Sequence, residues 1–210
     1  MSRGAAPPLS PEEFEALLKT RASELGLEKF PLTGLGVYLS ELDRWRRRVN
    51  LTGKLTARQL TEHALEALLP LDLIAHGERV VDIGSGAGFP GLPIALARPD
   101  LEVSLVEPRA KRTAFLRHVA RSLKLSRVRV LESRIEEVGG QTFGCATTRA
   151  VGGFAKWLGN AAFIEPGGLL MAWTTDPEGV GTQLPGFRLE RVLPVAGSAR
   201  RAVAVYRKHA

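Results

Sequence analysis

The sequence predicts an α/β protein in which a doubly wound, mostly parallel seven-stranded sheet follows an N-terminal helical extension. Two observations support this fold class. From residue 79 onward, short β-rich runs alternate with helical segments, which is the pattern of parallel strands connected by helices. Before that point, apolar residues recur at helical spacing instead. We therefore expect a flexible tail over residues 1–9, a helical extension over residues 10–76 and the sheet domain over residues 77–210.

Three helices are expected in the extension. Ser10 is suited to cap the first, with Pro11 at its first position and Glu13 completing a capping box. The second covers "LGVYLSELDRWRRRVN", residues 35–50, and the third covers "TARQLTEHALEALLPLDLI", residues 56–74. Their apolar residues lie near one stripe, so each helix is expected to bury one face.

The sheet domain contains seven strand-like runs. In chain order they are "RVVDIG", "EVSLVEP", "RVRVLES", "FGCATTRA", "LLMAWTT", "FRLERVLPV" and "AVAVYRK". The helical segments "PGLPIALARP" and "RAKRTAFLRHVARSLKL" separate the first three runs. We expect the last two runs to close the sheet as an antiparallel pair.

Composition excludes several classes of protein. The 210 residues include a single cysteine, Cys145, which rules out an internal disulfide and a multi-cysteine metal site. We expect Cys145 to be a buried strand residue, and we expect no metal. No apolar run approaches the roughly 20 residues that span a bilayer, and the first ten residues lack the apolar core of a secretory signal. A cytoplasmic protein without a membrane partner is expected.

The charge balance indicates an anionic partner. The net charge is +7, and 22 arginines outnumber 7 lysines. Arginine binds phosphate and stacks on bases, which favours nucleic acid. GC-rich coding or growth at high temperature would also enrich arginine, so composition leaves both explanations open.

A glycine-rich loop, "GSGAGFPG", joins the first strand to the next helix and lets a ligand approach the backbone closely. A dinucleotide fingerprint that begins at Gly84 and Gly86 needs a third glycine at position 89, where this chain has Phe89. Asp82, two residues before the first glycine, favours a cationic ligand over a pyrophosphate. The loop therefore favours a positively charged nucleoside cofactor over NAD.

A second acid follows the next strand. Glu107 lies 25 residues after Asp82, where a carboxylate can accept hydrogen bonds from both ribose hydroxyls. This order of strand, acid, glycine loop, helix, strand and acid resembles the Rossmann-like fold of class I S-adenosylmethionine-dependent methyltransferases. S-adenosylmethionine carries a sulfonium and an ammonium group, which suit a nearby carboxylate. It is the expected cofactor.

Further words of the sequence narrow the resemblance. They are "VNLTG" (49–53), "EHALEALLP" (62–70), "DIGSGAGFPGLPIAL" (82–96), "VEPRAKRTAFLRHV" (106–119), "ESRIEEV" (132–138) and "TRAV" (148–151). In this order they resemble the ribosomal small-subunit methyltransferase G family, formerly called glucose-inhibited division protein B. The resemblance implies methylation of N7 of one guanine in 16S ribosomal RNA. It makes small-subunit ribosomal RNA the expected partner, and we expect a monomer.

The resemblance also implies a cofactor site. Together with Asp82, the expected cofactor-binding residues are Gly84, Ser85, Gly86 and Phe89 at the methionine end, Glu107 at the ribose, Ile135 and Glu136 beside the adenine, and Arg149 on the methyl-donor side. Two of them have simpler explanations, since Ile135 could be a core residue and Glu136 a solvated acid at a helix start. Arg149 ends a strand at the face where doubly wound sheets bind ligands.

Transfer to guanine N7 asks little of acid–base chemistry. The N7 lone pair is free at neutral pH, so the enzyme need only align the reacting atoms and exclude water. We therefore assign no catalytic residue. Two alternatives remain open: a methyltransferase for another RNA or a small molecule, and a non-catalytic RNA-binding member of the same fold.

Basic residues supply the candidate RNA surface. Seven basic residues and two polar ones, Asn50 and His63, are expected to bind RNA. The basic residues are Arg46, Arg47, Arg48, Arg109, Lys111, Arg200 and Arg201. The first three follow Trp45, and basic residues beside an aromatic ring contact phosphates or stack on bases. The alternative is that Trp45 packs inward and the arginines form a solvated face.

The chain departs from the family pattern at two places. Where the family motif has His, two residues, Asp and Ser, this chain has His63, Glu66 and Ala67. After the fifth strand the family usually has Lys-Gly, and this chain has Trp173 and Thr174. We expect both departures to bear on the target nucleotide more than on the cofactor.

Overall fold

The computed structural model describes residues 7–149, 161–178, 180 and 183–210. Within these ranges the helices are α1 (Pro11–Leu25), α2 (Thr33–Trp45), α3 (Ala57–Glu66), α4 (Gly91–Ala97) and α5 (Ala110–Ser122). The strands are β1 (Arg79–Ile83), β2 (Glu102–Val106), β3 (Val128–Leu131), β4 (Phe143–Arg149), β5 (Ile164–Thr174), β6 (Gln183–Leu184), β7 (Phe187–Pro194) and β8 (Ala202–Lys208). None of the helices described is both long and apolar enough to cross a membrane.

One mixed sheet organises the molecule, with the strand order β3-β2-β1-β4-β5-β8-β7-β6. Strands β1 to β5 run parallel, and β8 joins β5 antiparallel. The predicted closing pair is confirmed, since β7 and β8 are antiparallel neighbours. The expected seven strands are all present, and the two-residue strand β6 adds an eighth at the edge beside β7.

The first helix begins as predicted. The Glu13 amide donates to the Ser10 hydroxyl at 3.2 Å, and the Ser10 amide donates to the Glu13 carboxylate at 2.7 Å. Leu9, directly before this cap, is held by two side chains of α2: its amide donates to the Asp43 carboxylate, and its carbonyl accepts a hydrogen bond from the Ser40 hydroxyl. Residues 1–6 of the expected tail lie outside the described residues.

The second and third helices are shorter than the sequence predicts. Helix α2 ends at Trp45, and a turn follows in which the amides of Arg48 and Val49 both donate to the Trp45 carbonyl. Helix α3 stops at Glu66, and a 3₁₀ turn leads to Pro70, which has no amide to continue a helix. The predictions of helix through residues 50 and 74 were therefore wrong.

A continuous apolar core joins the helical extension to one face of the sheet. Its fully buried members include Leu18, Tyr38, Leu39, Leu60 and Leu65 from the helices, Val80, Leu105 and Val205 from the strands, and Phe115 from α5. Val81, Ala146 and Leu170 point to the opposite face and form a second cluster. The extension over residues 10–76 thus shares its core with the sheet domain. Cys145 is buried as predicted, and burial raises the pKa of its thiol.

A cofactor cavity at the carboxyl ends of the strands

A cavity of about 750 Å³ lies where β1, β2 and β4 end. Its walls come from residues 51–53 and 55, from the loop 83–87, from residues 106–109 and from residues 133–136. Phe89, Arg112, His63 and Arg149 complete the lining. All the expected cofactor residues except Asp82 therefore meet at one cavity, and their contact with a cofactor stays a prediction.

The glycine loop forms the floor of this cavity beside β2. The amides of Gly84 and Ser85 donate to the Val106 carbonyl, at 2.8 and 3.0 Å. Gly84 has a φ of 71° and Gly86 a φ of 56°, which is a backbone conformation that a side chain disfavours. The loop thus keeps its backbone exposed to the cavity while it is anchored to the neighbouring strand.

Glu107 links the loop to the next helix. Its carboxylate accepts hydrogen bonds from the Gly86 amide at 3.1 Å and the Arg109 amide at 2.9 Å. The Arg112 guanidinium lies 3.6 Å from the same carboxylate. Glu107 itself is only 3% exposed. Each carboxylate oxygen can accept more than one hydrogen bond, so Glu107 can still receive a ribose diol.

Asp82 lies beneath the loop and does not line the cavity. One oxygen accepts a hydrogen bond from the Thr147 hydroxyl at 3.0 Å, and the other accepts one from the Gly91 amide at 3.3 Å. Burial raises the pKa of this carboxyl to about 6, although hydrogen bonds oppose the shift. These contacts hold the start of α4 against β1. The geometry therefore gives Asp82 a part in shaping the loop, in place of the direct contact with a cation that its sequence position predicts.

Phe89 and His63 form one wall of the cavity, and the buried ring of Tyr38 packs behind Phe89. Phe89 packs edge-on against Tyr38, with ring centroids 5.5 Å apart, and His63 packs perpendicular to Phe89 at 5.8 Å. Burial, followed by the charges of Arg149 and Arg201, lowers the pKa of His63 to about 3. His63 is therefore neutral at pH 7 and brings no positive charge to RNA.

The opposite wall is a short 3₁₀ turn, Ile135–Glu137. Ile135 is 5% exposed and belongs to the second apolar cluster, while Glu136 is exposed. Both also line the cavity. The core explanation and the cofactor explanation for Ile135 are thus compatible, because one side chain contributes to both environments.

Arg149 ends β4 at the cavity and is held by helix α3. Its guanidinium donates to the Glu66 carboxylate at 2.7 Å and to the His63 carbonyl at 3.4 Å. Glu66 also pairs with Arg201, and its own carbonyl accepts a hydrogen bond from the Trp173 indole. The two departures from the family pattern therefore lie in contact behind the cavity wall.

The basic residues after α2 divide into two kinds. Arg46 is bound within the protein, since it pairs with Asp43 at 2.6 Å and donates to the Leu55 carbonyl. Arg47 and Arg48 are exposed, with Arg47 3.5 Å from Asp43. Trp45 packs against Phe115 and His118, so its inward-packed alternative is the one observed.

A second cavity, of about 540 Å³, lies beside these arginines. Its lining includes Arg47, Asn50 and Lys54, and it shares Thr52 and Gly53 with the cofactor cavity. We call it the basic groove. The loop "LTG" thus separates the two cavities while bordering both.

The remaining basic residues are dispersed. Arg109 is exposed and lines the cofactor cavity, and Lys111 and Arg200 are exposed. Arg201 pairs with Glu62 at 3.2 Å and with Glu66, which gives it an internal role. The expectation that Arg201 reaches RNA takes no support from this placement.

Sequence reasoning missed several residues of the site. It assigned no role to Leu51, Thr52 and Gly53, although "VNLTG" was among the words of the resemblance. It also did not place Glu66 beside Arg149. The Thr52 signal was available from the motif, whereas the Glu66 contact joins positions 83 residues apart and had no local signal.

Comparison with known proteins agrees with this geometry. The family model described as rRNA small subunit methyltransferase G matches residues 32–176. A relative of that name from Desulfotalea psychrophila is 43% identical over 130 residues, which are 59% of this chain and 60% of the relative. Another from Desulfitobacterium hafniense is 31% identical over 208 residues, 93% of this chain and 84% of the relative.

Solved structures agree on the fold. A SAM-dependent methyltransferase from Aquifex aeolicus has a TM-score of 0.55 at 18% identity, covering 71% of this chain and 92% of that one. TYW2 from P. horikoshii, in complex with MeSAdo, has a TM-score of 0.55 at 17% identity, covering 70% and 62%. The chain thus has the Rossmann-like fold of class I SAM-dependent methyltransferases. Given the family match over residues 32–176 and the relative that spans 93% of its length, this chain belongs to the rRNA small subunit methyltransferase G family.

Proposed function

We propose that this protein transfers the methyl group of S-adenosylmethionine to N7 of a guanine in 16S ribosomal RNA. Family membership supports the enzyme class and the cofactor. The observation that carries the proposal is the cofactor cavity itself, in which the glycine loop, Glu107 and Arg149 meet. The basic groove beside it supports RNA as the acceptor.

The residues present suit the cofactor. Glu107 offers carboxylate oxygens at the end of β2 for the ribose, and Ile135 offers an apolar surface for the adenine. Phe89 and neutral His63 form a wall without a positive charge of their own, which suits a sulfonium. The bound cofactor supplies a methyl group on that sulfonium.

The reaction needs positioning and little else. The guanine N7 lone pair forms a bond to the methyl carbon as the carbon–sulfur bond breaks, and the electron pair of that bond goes to sulfur. The products are S-adenosylhomocysteine and a cationic 7-methylguanine, and no proton moves. The protein's part is to hold N7 in line with the methyl group and to exclude water. This explains why the described cavity can work without an acid–base pair.

The acceptor would enter from the side of the basic groove. Arg47, Asn50 and Lys54 line this groove. Cationic and amide side chains of these types bind phosphate oxygens. Thr52 and Gly53 lie between the groove and the cofactor cavity. An RNA strand bound through its phosphates in the basic groove would thus place a neighbouring base over the loop at Thr52 and Gly53. We further propose that the protein acts as a monomer in the cytoplasm, on RNA of the small subunit.

The test is methyl transfer from labelled S-adenosylmethionine to small ribosomal subunits that lack the modification, with product nucleosides identified by mass spectrometry. Free 16S RNA and an unrelated RNA serve as parallel acceptors. We expect 7-methylguanosine at one site. A different methylated nucleoside would contradict the proposed acceptor atom. Cofactor binding without transfer to any of these RNAs would overturn the enzymatic proposal in favour of a non-catalytic RNA-binding member of the fold.

A further inference from the structure

A buried carboxylate lies directly behind the cavity wall, and the transfer chemistry does not use it. Glu66 is 2% exposed, and both its oxygens are engaged by guanidinium groups. One guanidinium belongs to Arg149 at the end of β4, and the other belongs to Arg201 just before β8. The main-chain carbonyl of Glu66 accepts a hydrogen bond from the indole of Trp173 in β5, at 3.1 Å. Three separate parts of the chain thus converge on this one residue of α3.

The arrangement fixes the direction of Arg149. A guanidinium that bonds a buried carboxylate and a main-chain carbonyl has few alternative rotamers, because each would leave a charged group unpaired in a dry environment. Arg149 donates to Glu66 and to the His63 carbonyl and still lines the cofactor cavity. Its position at the cavity therefore depends on α3.

The arrangement also sets the charge that a bound ligand meets. Without Glu66, Arg201 would still pair with Glu62, but Arg149 would lose its carboxylate partner and place an uncompensated positive charge at the cavity where the sulfonium is expected. The positive charges of both arginines are felt at the cavity lining, since each of them, after burial, helps to lower the pKa of His63. A carboxylate between them cancels one charge at close distance, where the surroundings screen poorly.

We propose that Glu66 is a positioning residue for Arg149, which orients its guanidinium at the cavity and offsets its charge so that a cationic cofactor is accepted. This inference rests on the proposed function, because it takes S-adenosylmethionine as the ligand. The inference also goes beyond the proposed function. It assigns to Glu66, a residue outside the cavity, the ability of the site to favour the positively charged S-adenosylmethionine over the product S-adenosylhomocysteine.

The test compares the Kd values of S-adenosylmethionine and S-adenosylhomocysteine by calorimetry. The two ligands share every group except the methyl and its positive charge. Glu66→Gln keeps the shape and removes the negative charge, and we expect it to weaken S-adenosylmethionine about fivefold more than S-adenosylhomocysteine. Loss of structure alone would weaken both ligands alike, and equal weakening overturns the proposal.

Three further variants keep the inference falsifiable. Arg201→Met removes a positive charge from the same cluster, so the preference is expected to move toward S-adenosylmethionine, and a move the other way contradicts the proposal even if Glu66→Gln does not fold. Glu66→Asp retains the charge and should retain the wild-type ratio of Kd values. Glu41→Gln is the matched control, since Glu41 pairs with Arg44 and His118 away from the cavity. Failure of the wild-type protein to bind either ligand would instead refute the proposed function.

Discussion

The indole nitrogen of Trp173 donates a hydrogen bond to the main-chain carbonyl of Glu66, at 3.1 Å. Both residues stand at positions where the chain departs from the pattern of its family. Their contact joins the end of β5 to the end of α3 behind the cofactor cavity. The two departures therefore meet in one structural unit behind the cofactor cavity.

Replacing Trp173 with Phe should destabilise the protein by at least about 1–2 kcal/mol, because a buried carbonyl loses its donor and the smaller ring packs less completely. Chemical denaturation measures the change. Met171→Leu, a volume-conserving change on the same buried strand, is the control and should cost less. Equal stability of Trp173→Phe and wild type would show that the hydrogen bond contributes nothing.

Gly91→Ala should destabilise the fold by about 2 kcal/mol through overpacking. A Cβ at Gly91 would lie 2.4 Å from Leu105 Cδ2 and 2.7 Å from an oxygen of Asp82, so α4 could not stay close to the sheet. The melting temperature is the readout. Gly139→Ala, where a Cβ has nothing within 4 Å, should leave it unchanged. Similar effects of the two changes would argue against close packing at α4.

Glu107→Gln should weaken S-adenosylmethionine binding at least about tenfold, since a charge-assisted acceptor is lost and the loop amides lose their anchor. Isothermal calorimetry measures the affinity. Glu102→Gln, at the other end of β2, removes a surface pair with Arg127 and should bind normally. Unchanged affinity in Glu107→Gln would remove the ribose assignment.

His63 should make the protein acid-sensitive. Its pKa is about 3 in the folded state because of burial and of Arg149, against an ordinary value of 6.5. Between these values the unfolded chain binds the extra proton, so stability falls as pH falls, by up to about 1.4 kcal/mol per pH unit from one group. His63→Gln should reduce the loss of stability between pH 6 and pH 4, measured by urea denaturation.

The control for this pH dependence is His76→Gln, because the His76 side chain is 89% exposed. It should keep the acid sensitivity of the wild type. Asp82 titrates in the opposite sense, since burial raises its pKa to about 6, but it is present in every variant compared. An identical pH profile in His63→Gln and wild type would contradict the assignment.

The double change Arg47→Gln with Lys54→Gln tests the basic groove. We expect weaker RNA binding and a salt dependence whose slope falls by about one to two, since two phosphate contacts are lost. Arg44→Gln is the control, because Arg44 is an exposed arginine three residues before Arg47, in the last turn of α2, and pairs with Glu41 outside the groove. An unchanged slope in the double variant would move the RNA surface elsewhere.

Local signals carried most of what the sequence predicts. The Ser10 cap, the strand alternation and the antiparallel pair β7–β8 depend on neighbouring residues, and all are observed. Gly84, Gly86 and Glu107 reach the cavity because parallel strands end at one edge of a sheet. Such features are visible in short windows of the sequence.

Long-range contacts account for what the sequence could not supply. Arg201 reads as an exposed cation, yet it pairs with Glu66 across 135 positions. The sequence predicts Asp82 as a ligand carboxylate, yet its oxygens accept hydrogen bonds from the Gly91 amide and from the hydroxyl of Thr147, which is 65 positions away. In both cases the partner is chosen by the packing of elements that no local pattern relates.

The shared core of the extension and the sheet has a consequence for synthesis of the chain. Helices α1 to α3 leave the ribosome before the strands, but the core they enter also needs β1, β2 and Val119 of α5. Their apolar faces stay uncovered until those later residues emerge, and such surfaces attract chaperones and promote aggregation. Glu66 must wait longer still, first for Arg149 and then for Arg201. The nascent protein can therefore complete this charge cluster only after Arg201 has been translated.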